Sequence, residues 1–433
     1  MELYEIFKQH PHITTDSRDC PQGSIFFSLK GDNFNANAFA LSALEKGCAY
    51  AVVDEEKYAV DERFILVDDV LKALQELARR HRRELGTKII GITGTNGKTT
   101  TKELIAAVLK QKFNTHFTQG NLNNHIGVPL TLLQLTKEHE IAVVEMGANH
   151  PGEIRDLAEI ALPDYGIITN VGKAHLEGFG SFEGVMKTKA ELYAYIFKNK
   201  GKIFLNTGNS FLKMMAKKSG FISPQQIISY ELGKSEKCHA AVGKVRSCSP
   251  FLNMKFNTAE SEFEVDSHLI GTYNAENVLA AVAIGTYFGL KSNQIKKGLE
   301  EYFPQNNRSQ LTITEHNKLV VDAYNANPTS MNAAILNFAQ IDASEKLVIL
   351  GDMLELGKQS AQEHQKIADM LKEKAFSSVL LVGPQFMTTT NNFKNFADID
   401  SLKKYIHENP VRNSFILVKG SHGIHLEKIL EDL

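Results

Sequence analysis

Cysteine is scarce in this sequence, and long apolar runs are missing. The 433 residues include four cysteines, Cys20, Cys48, Cys238 and Cys248, and these lack the close spacing of metal ligands. We therefore predict ordinary reduced thiols, as in a cytoplasmic protein. No stretch approaches the roughly 18 apolar residues that cross a bilayer. The opening residues, MELYEIFKQHPHI, have no cationic start followed by a long apolar core. We expect a protein that is neither exported nor bound to a membrane.

Net charge is also nearly absent. A formal net charge of -2 gives no general affinity for nucleic acid, so we expect small-molecule partners and no nucleic acid. No low-complexity segment or short-period repeat is visible, and a content of 43% hydrophobic residues excludes a disordered chain. A length of 433 residues exceeds one ordinary core and suggests three domains.

The stretch KIIGITGTNGKTTTKE has the pattern of a phosphate-binding loop. A short apolar run ends in a turn with Gly94 and Gly97, and a helix-competent stretch begins at Lys98. Glycines let backbone N–H groups turn towards an anion at the start of a helix. Lys98 would then reach the β- and γ-phosphates, and Thr99 would offer its hydroxyl to Mg²⁺. Ile92 stands where the common pattern has glycine, but the strand and helix on either side favour nucleotide triphosphate binding over coincidence.

Residues 1–85 predict a small α/β unit. Its strands are expected at 23–29, 49–54 and 64–68, and its helices at 38–46 and 70–83. The early turn Thr15-Asp16-Ser17-Arg18 offers two hydroxyls, a carboxylate and a guanidinium to a polar ligand. The second helix ends in four arginines, for which we predict a solvated linker face: Arg79, Arg80, Arg82 and Arg83.

Strands and helices alternate from residue 86 to 303, which predicts a parallel sheet covered by helices. The apolar run EIAVVEMG delivers Glu145 to the carboxyl end of a strand, where ligands of open α/β sheets collect. A carboxylate at this place suits Mg²⁺, and an ordinary strand-end acid is the alternative.

Two later segments add polar candidates. His175 follows a strand end, as Glu145 does, so the two side chains could converge on a shared ion; the alternative is an ordinary hydrogen-bonding histidine. In GTYNAENVLAA, Asn274 could cap a helix, and Asn277, one turn on, could bind a base or another amide.

Residues 304–433 repeat the alternation and again predict a parallel sheet. Polar clusters follow its strands, in the stretches DAYNANP, DMLELG and KGS. Arg308, in NNRSQ at the junction, could reach a nucleotide bound by the middle block.

Taken in order, these motifs resemble the Mur ligase family over nearly the whole chain. The family-wide pieces are GTNGKTT, TNVGKAHLE and GTYNAENVLAA. Other pieces resemble the member that adds D-Ala-D-Ala during peptidoglycan synthesis: GNLNNHIGVPLTLLQL, EMGANHPGEI, HLEGFGS, DAYNANPTSM and LGDMLELG. The resemblance implies a three-domain α/β fold. A small N-terminal α/β domain (1–85) would bind the UDP-sugar, a central phosphate-loop ATPase domain with a parallel sheet (86–303) would bind ATP, and a C-terminal Rossmann-like domain (304–433) would bring in the dipeptide.

The resemblance also implies a reaction. The γ-phosphoryl group of ATP would pass to the C-terminal carboxylate of UDP-N-acetylmuramoyl-tripeptide, and the amine of D-Ala-D-Ala would attack the resulting acyl phosphate. The products would be ADP, phosphate and UDP-N-acetylmuramoyl-pentapeptide. Negative charge accumulates in both transition states, so Lys98 and two Mg²⁺ ions are the expected stabilisers. We expect a cytoplasmic monomer that supports cell shape and cell division. Whether the third peptide residue is diaminopimelate or lysine depends on pocket shape and is not predicted.

The site residues are implied by the same resemblance. The ATP-binding residues are Gly94, Thr95, Asn96, Gly97, Lys98, Thr99, Thr100, Asn277 (adenine), Arg308 (phosphates) and Asp322 (ribose). The catalytic residues are Lys98, Lys189 and His175. The metal ligands are Thr99, Glu145, His175 and Lys189 as a carbamate. The substrate-binding residues are Ser17 and Arg18 for UDP, with Asn325 and Asn327.

The residues themselves separate two lysines of GVMKTKAELYAYIF. Lys187 lies four residues from both Glu183 and Glu191, which predicts an exposed ion-paired stripe. Lys189 shares its helix face with four apolar or aromatic residues, Val185, Met186, Leu192 and Tyr193. Desolvation on that face favours the neutral amine, which is the form that attacks CO₂. The alternative is an unmodified lysine that extends to water.

Two departures from the family pattern stand out. Relatives often show a phenylalanine followed by Asp-Gly-His where this chain has Asn33-Phe34-Asn35-Ala36-Asn37, and His422 stands where an arginine is common.

Three other functions share part of this pattern. A folylpolyglutamate synthetase shares the phosphate loop but lacks DAYNANPTSM and LGDMLELG. A nucleotide-hydrolysing regulator would have no use for His175 or for the polar clusters of the third block. A sugar-nucleotide binding module would have no use for Lys98.

Overall fold

Three large β-sheets follow one another along the chain in this computed structural model. It describes residues 2–233, 240–305 and 308–433; Cys238 lies outside these ranges. The other three cysteines are free thiols, as expected. Within the described ranges, no helix is both long and apolar enough to cross a membrane.

The first sheet has four parallel strands in the order β1-β2-β5-β6, and β3 pairs with β4 in a separate antiparallel ribbon. The strands are β1 Ile13–Thr14, β2 Ile25–Phe27, β3 Lys30–Gly31, β4 Phe34–Asn35, β5 Tyr50–Val53 and β6 Phe64–Leu66. The helices are α1 Leu3–Gln9, α2 Ala40–Glu45 and α3 Val70–Leu85. The carboxylate of Asp69 accepts a hydrogen bond from Lys72 N at the start of α3, and Gly86 ends the helix at a φ of 66°.

The central sheet has nine strands in the order β15-β14-β13-β12-β11-β10-β7-β9-β8. The strands are β7 Lys88–Thr93, β8 Thr115–Phe117, β9 Ile141–Glu145, β10 Tyr165–Ile168, β11 Lys202–Asn206, β12 Ile227–Leu232, β13 Ala241–Cys248, β14 Phe251–Asn257 and β15 Glu262–Ile270. The helices are α4 Lys98–Leu109, α5 Gly127–Leu133, α6 Glu153–Ala161, α7 Leu176–Phe179, α8 Phe182–Lys198, α9 Ser210–Lys218, α10 Ala275–Tyr287 and α11 Ser292–Glu300.

The predicted all-parallel pattern is wrong at one side of this sheet. β13, β14 and β15 pair antiparallel with no helix between them. Antiparallel neighbours need only a short turn, whereas parallel strands need a crossover. The parallel strands in the middle are buried on both faces. On β7, Ile89, Ile90 and Ile92 are fully buried, which is why that strand reads as a continuous apolar run.

The third sheet has six strands in the order β16-β17-β21-β18-β19-β20. The strands are β16 Gln310–Ile313, β17 Lys318–Asp322, β18 Lys346–Gly351, β19 Ser378–Val382, β20 Lys394–Phe396 and β21 Phe415–Lys419. The helices are α12 Pro328–Gln340, α13 Ser360–Lys372, α14 Pro384–Met387 and α15 Ile399–Glu408. Five strands are parallel, but the edge strand β16 is antiparallel to β17, which the predicted parallel sheet did not include.

Short 3-10 segments connect several of these elements. They are Ala36–Phe39, Glu56–Tyr58, Pro224–Gln226, Thr272–Asn274, Gly357–Gln359, His422–Ile424 and Leu426–Asp432.

Candidate active site

A cleft of about 1430 Å³ lies between the three blocks of the chain. Residues from the phosphate loop, from the ends of β9 and β17, and from α3 line it. Most of the predicted ATP and metal residues line this cleft: Thr95, Asn96, Gly97, Lys98, Thr99, Thr100, Glu145, His175, Asn277, Arg308 and Asp322. The structure therefore brings together side chains that are more than 200 residues apart in sequence.

The phosphate loop has the geometry that its glycines predict. Gly94 has a φ of 149° and Gly97, which precedes α4, a φ of 75°, a conformation that L side chains rarely adopt. Lys98 Nζ donates hydrogen bonds to the carbonyls of Gly94 (2.9 Å) and Thr95 (3.3 Å). Burial lowers the pKa of Lys98, while the nearby Glu145 opposes that shift. The start of α4 thus combines free N–H groups with an ammonium, a suitable site for phosphate.

A neighbouring loop braces the phosphate loop. The side-chain amide of Asn170 accepts a hydrogen bond from Asn96 N (2.9 Å) and donates one to Asn96 O (3.1 Å). The hydroxyl of Thr169 donates to the same carbonyl at 2.7 Å. The stretch TNVGKAHLE therefore holds the backbone of the loop, a role that the sequence reasoning had not assigned to it.

Asn277 uses its side chain inside the protein. Its Oδ1 accepts a hydrogen bond from the Thr101 hydroxyl (3.0 Å), and its Nδ2 donates to Asn274 Oδ1 (2.8 Å). The predicted contact with another amide is present, and contact with a base stays a prediction. Asn274 makes no side-chain cap, contrary to expectation, and donates instead to Ile270 O. Asn277 thereby joins α10 to the first turn of α4.

Glu145 lies at the cleft with one carboxylate oxygen unpaired. The residue is 1% exposed; its Oε1 accepts a hydrogen bond from Asn123 Nδ2 (2.8 Å), whereas Oε2 has no hydrogen-bond partner. Lys102, fully buried, places its Nζ 3.9 Å from that oxygen. Glu145 and Thr99 both line the cleft. A carboxylate oxygen without a hydrogen-bond partner fits Mg²⁺, which binds one or two carboxylates and completes its shell with water and phosphate.

Lys102 and Asn123 are functional candidates that the sequence reasoning missed. Burial lowers the pKa of Lys102, and Glu145 and Glu103 oppose that shift. Asn123 lies in GNLNNHIG, a stretch that had been recognised only as a family motif. Its spacing to Glu145 carries no periodic signal, because the contact joins a loop to a strand end 22 residues away.

His175 contacts the third block of the chain. It precedes α7 with a φ of 50°, and its Nδ1 forms an ion pair with Glu355 of LGDMLELG, which has a φ of 63°. The hydrogen bond from His175 lowers the pKa of Glu355. Among the described residues no group of three or more His, Cys, Asp or Glu side chains could hold a metal ion. The expected convergence of His175 and Glu145 on one ion therefore stays a prediction.

Lys189 lies on the buried face of α8, as predicted. It is 2% exposed, and its Nζ lies 5.4 Å from the Phe179 ring centroid. Burial, with a smaller contribution from Lys98, lowers its pKa to about 7. Lys187 is exposed, so the two faces are assigned correctly, and the alternative in which Lys189 extends to water is wrong. The predicted ion pairs of Lys187 are wrong, because within the described ranges it pairs with neither Glu183 nor Glu191. Glu191 instead accepts hydrogen bonds from backbone N–H groups at the start of α6.

The third block supplies a second polar cluster. The Arg308 guanidinium lies 3.7 Å from the Tyr324 ring centroid. Asp322 pairs with the buried Lys419 at 2.6 Å, and Lys419 also donates to Asn325 O at 3.1 Å. Adjacent parallel strands, β17 and β21, place Asp322 opposite Lys419 in register. The cluster at these strand ends therefore opens onto the cleft, and it includes Lys419, which the sequence reasoning had noted only as part of a polar stretch.

Asn325 and Asn327 differ in position. Asn325 is exposed and lines the cleft. Asn327 is 6% exposed; its Oδ1 accepts a hydrogen bond from Ser330 N at the start of α12, and its Nδ2 donates to Asn96 Oδ1 at 2.7 Å. The side chain of Asn327 thus caps a helix and touches the phosphate loop, which leaves it little capacity to bind substrate directly.

Ser17 and Arg18 are not among the described residues that line the cleft. Arg18 is 88% exposed and pairs with its neighbour Asp16 at 2.7 Å. That pairing lowers the pKa of Asp16 to about 2. From the first block, Gln75 and Arg79 line the cleft instead.

The arginine stripe of α3 is only partly solvated, so that prediction is wrong for one member. Arg82 is 7% exposed, and its Nη2 donates to Asp164 Oδ2 at 2.8 Å. Charged side chains are seldom buried without a partner, and here the partner lies 82 residues further along the chain.

The two departures from the expected motif pattern have defined contacts. Asn37 is fully buried and donates to Asp54 at 2.8 Å, while Asn35 donates to Glu55 at 2.7 Å. His422 lines the cleft and stacks on Tyr324 with ring centroids 6.0 Å apart. Residues 33–37 therefore stabilise their own loop, and His422 presents an imidazole to the cleft.

Three family models match successive parts of the chain. Their descriptions are "Mur ligase family, catalytic domain" for residues 11–82, "Mur ligase middle domain" for residues 92–285 and "Mur ligase, glutamate ligase domain" for residues 307–422.

Curated relatives are similar over almost the whole length. The UDP-N-acetylmuramoyl-tripeptide--D-alanyl-D-alanine ligase of Bacillus subtilis (strain 168) is 34% identical over 438 residues, covering 97% of this chain and 92% of the relative. The enzyme of the same name from Escherichia coli (strain K12) is 34% identical over 429 residues, covering 97% and 93%.

Solved structures are also similar to this chain over almost its whole length. MurF from Acinetobacter baumannii matches with a TM-score of 0.86 and 31% identity over 98% of this chain and 93% of that one. MurF ligase from Thermotoga maritima, in complex with ADP, matches with a TM-score of 0.85 and 26% identity over 100% and 98%. A folylpolyglutamate synthase from Mycobacterium tuberculosis, at 14% identity and a TM-score of 0.62, shares the fold alone. The predicted three-domain α/β architecture is confirmed.

Proposed function

Because this chain belongs to the Mur ligase family, we propose that it is the ATP-dependent ligase that joins D-Ala-D-Ala to UDP-N-acetylmuramoyl-tripeptide in peptidoglycan synthesis. The observation that carries the proposal is the single cleft in which the phosphate loop, Glu145 and the polar cluster of the third block meet. A ligase that activates a carboxylate and then delivers an amine needs all three in one place.

Lys98 and the start of α4 hold the phosphates of ATP during transfer of the γ-phosphoryl group to the peptide carboxylate. Lys98 now donates to two carbonyls of its own loop, so it is positioned to exchange these acceptors for phosphate oxygens. An ammonium and backbone N–H groups aimed at a transferring phosphoryl group stabilise the charge that spreads over its oxygens. Mg²⁺ at Thr99 and Glu145 would supply further positive charge at the phosphates.

The acyl phosphate then reacts with the amine of the dipeptide. The nitrogen forms a bond to the acyl carbon and loses a proton to solvent, and phosphate leaves with the electrons of the broken C–O bond. Asn325, His422 and Lys419 line the part of the cleft that belongs to the third block. We assign this region to the dipeptide, and Lys419, paired with Asp322 and bonded to Asn325 O, would hold these strand ends in place there.

Other residues that line the cleft would contact ATP. Arg308 would face the phosphates, and Asp322 the ribose. Asn277, whose polar atoms are bonded within the protein, would support the loop near the adenine rather than read the base. UDP would bind to the first block, with Ser17 and Arg18 of its exposed turn among the contacts; in this structure they lie outside the cleft lining, so contact requires the substrate to extend beyond it.

Carbamylation of Lys189 belongs to the same proposal. Burial and a pKa of about 7 leave a large fraction of neutral amine, the form that attacks CO₂. The amine nitrogen would bond to the carbon of CO₂ and lose a proton to solvent, giving an anion. With His175, that anion would form the ligand set for a second Mg²⁺. The support lies in the environment of Lys189 itself, since no relative named above is described as carbamylated.

We place the enzyme in the cytoplasm as a monomer, acting in cell-wall biogenesis and therefore in cell shape and division. Both substrates are small and soluble, and the cleft is complete within one chain.

Mass spectrometry of the products tests the proposal. Purified protein with ATP, D-Ala-D-Ala and a panel of UDP-N-acetylmuramoyl-tripeptides should form UDP-N-acetylmuramoyl-pentapeptide, and the panel would show whether diaminopimelate or lysine is preferred.

Lys98→Ala should lower kcat by orders of magnitude with the fold intact, because it removes a charge aimed at the transferring group. Folate with glutamate is the matched negative control. Turnover of ATP that is independent of both acceptor substrates would instead indicate a nucleotide-hydrolysing regulator.

A further inference from the structure

A second cavity, of about 550 Å³, lies at the opposite edge of the central sheet from the active-site cleft. Its walls are the end of α3, the loop between α6 and β10, and the loop between α8 and β11. Parallel strands β10 and β11 begin here, with Tyr165 opposite Lys202 in register. The size falls in the range of small-molecule sites, which often occur where two structural blocks meet.

Positive charge dominates this cavity, which we call the amino-edge pocket. Its lining contains a single carboxylate, that of Asp164, and four cationic side chains, those of Arg82, Arg83, Lys200 and Lys202. Asp164 is already engaged, because its Oδ2 accepts hydrogen bonds from Arg82 Nη2 and from Ile89 N, both at 2.8 Å. The remaining cations therefore have no carboxylate partner within the pocket wall.

Arg82 has an unused donor. The side chain is 7% exposed, and its Nε makes no hydrogen bond. A buried guanidinium normally uses all its donors, since an unpaired charged donor costs free energy. Its Nη2 reaches Leu162 O at 3.3 Å in addition to Asp164, so the guanidinium is held in place at the pocket wall.

Two loops of the pocket have unusual backbone. Leu162 and Lys200 adopt φ values of 49° and 58°, in the left-handed region that non-glycine residues seldom occupy. Both residues lie just beyond the ends of helices, and cations near helix C-termini are favourable in themselves. That effect explains one cation for each helix end, but it gives no reason for a cavity between them.

We propose that the amino-edge pocket binds a small, multivalent, phosphate-bearing anion. Guanidinium and ammonium groups that line one pocket offer the donors that recognise phosphate oxygens. Bound there, the anion joins α3 of the first block to two loops of the central block. Its binding therefore stabilises the junction between the two blocks, at a site separate from the phosphate loop.

Inorganic pyrophosphate is the probe, measured by isothermal titration calorimetry at constant ionic strength. The wild-type protein should show two sites, one at the phosphate loop and one at the amino-edge pocket. Lys98→Ala should remove only the first. Arg83→Gln combined with Lys202→Gln should remove only the second, with Kd raised at least about tenfold, because two charged donors are lost. Ligase turnover of that double variant without pyrophosphate should equal the wild-type value.

The matched control is Lys88→Gln combined with Lys198→Gln. Both lysines are exposed near the same edge of the sheet, but neither lines the pocket. This control should keep both sites. Equal weakening in the control and in the pocket variant would overturn the proposal, since it would show general attraction between charges. A wild-type protein with one site, lost in Lys98→Ala, would also overturn it.

A second arm separates a free anion from a lipid headgroup. The wild-type protein should stay in the supernatant when vesicles of phosphatidylglycerol are sedimented, because a formal net charge of -2 gives it no general attraction to an anionic surface. Co-sedimentation that the Arg83/Lys202 double variant abolishes would overturn the assignment to a soluble anion. The ligase assay is independent of both arms, so failure of this inference leaves the proposed function untouched.

Discussion

Gly97→Ala should damage the phosphate loop through one specific contact. A Cβ built on Gly97 would lie 2.6 Å from Asn277 Oδ1 and 3.0 Å from its Nδ2. Because Asn277 is bonded to Thr101 and to Asn274, it can move only by giving up hydrogen bonds worth about 1 kcal/mol each. The φ of 75° adds about 1 to 2 kcal/mol for any L side chain. We expect a total loss of about 3 to 4 kcal/mol.

Gly86→Ala provides the matched control. Gly86 has a similar φ of 66°, but nothing lies within 4 Å of the position of its added Cβ. This variant should lose only the conformational part, about 1 to 2 kcal/mol, and should bind ATP normally. The difference between the two variants, about 2 kcal/mol, isolates the contact with Asn277.

Urea unfolding and calorimetric titration with ATP measure the two effects. Gly97→Ala should unfold at a lower urea concentration than Gly86→Ala and should lose at least about tenfold in ATP affinity, since a shift of Asn277 displaces the start of α4. The reasoning is refuted if Gly97→Ala binds ATP like the wild-type protein and unfolds together with Gly86→Ala.

Three further predictions follow from single side chains. Lys189→Ala should be nearly inactive and partly rescued by a small added carboxylic acid, whereas Lys187→Ala should stay active. A pKa of about 7 in place of 10.5 gives Lys189 roughly a thousandfold more neutral amine at pH 7. A ¹³C signal of the carbamate should therefore appear with labelled bicarbonate and fade as the pH falls below 7. Wild-type activity of Lys189→Ala in CO₂-depleted buffer would exclude the carbamate. Arg18→Ala should raise KM for the UDP-substrate far more than KM for ATP, and an equal rise in both would indicate a stability defect. Glu355→Gln should keep the fold but lower kcat several-fold, because His175 loses its charged partner; unchanged kinetics would show that this pair has no role in turnover.

The sequence predicted those parts of the site that depend on local pattern. The phosphate loop needs glycine at positive φ next to a helix start, and both features appear in consecutive residues. The contrast between Lys187 and Lys189 is likewise local, because helix periodicity alone puts them on different faces. Neither prediction required knowledge of what the residues touch.

Long-range pairings were not accessible in this way. The burial of Arg82 depends on Asp164, and the roles of Lys102 and Asn123 depend on where β9 places Glu145. A charged residue in the last turn of a helix reads as solvated unless its distant partner is known. The antiparallel strands β13 to β15 were missed because their short connections were read as part of an alternating pattern.

The contacts between the phosphate-loop region and the third block are few and polar. Asn96 bonds to Asn327, His175 pairs with Glu355, and Lys173 pairs with Glu363 at 3.2 Å. Lys173 and Glu355 are each about half exposed, so water competes for one member of each pair and reduces what the pair contributes. A junction made of these contacts can open and re-form at small cost. Under the proposed function, ATP and the dipeptide would bind on opposite sides of this junction, and their binding would decide how often it is closed, since each ligand would gain contacts only when both blocks face the same cleft.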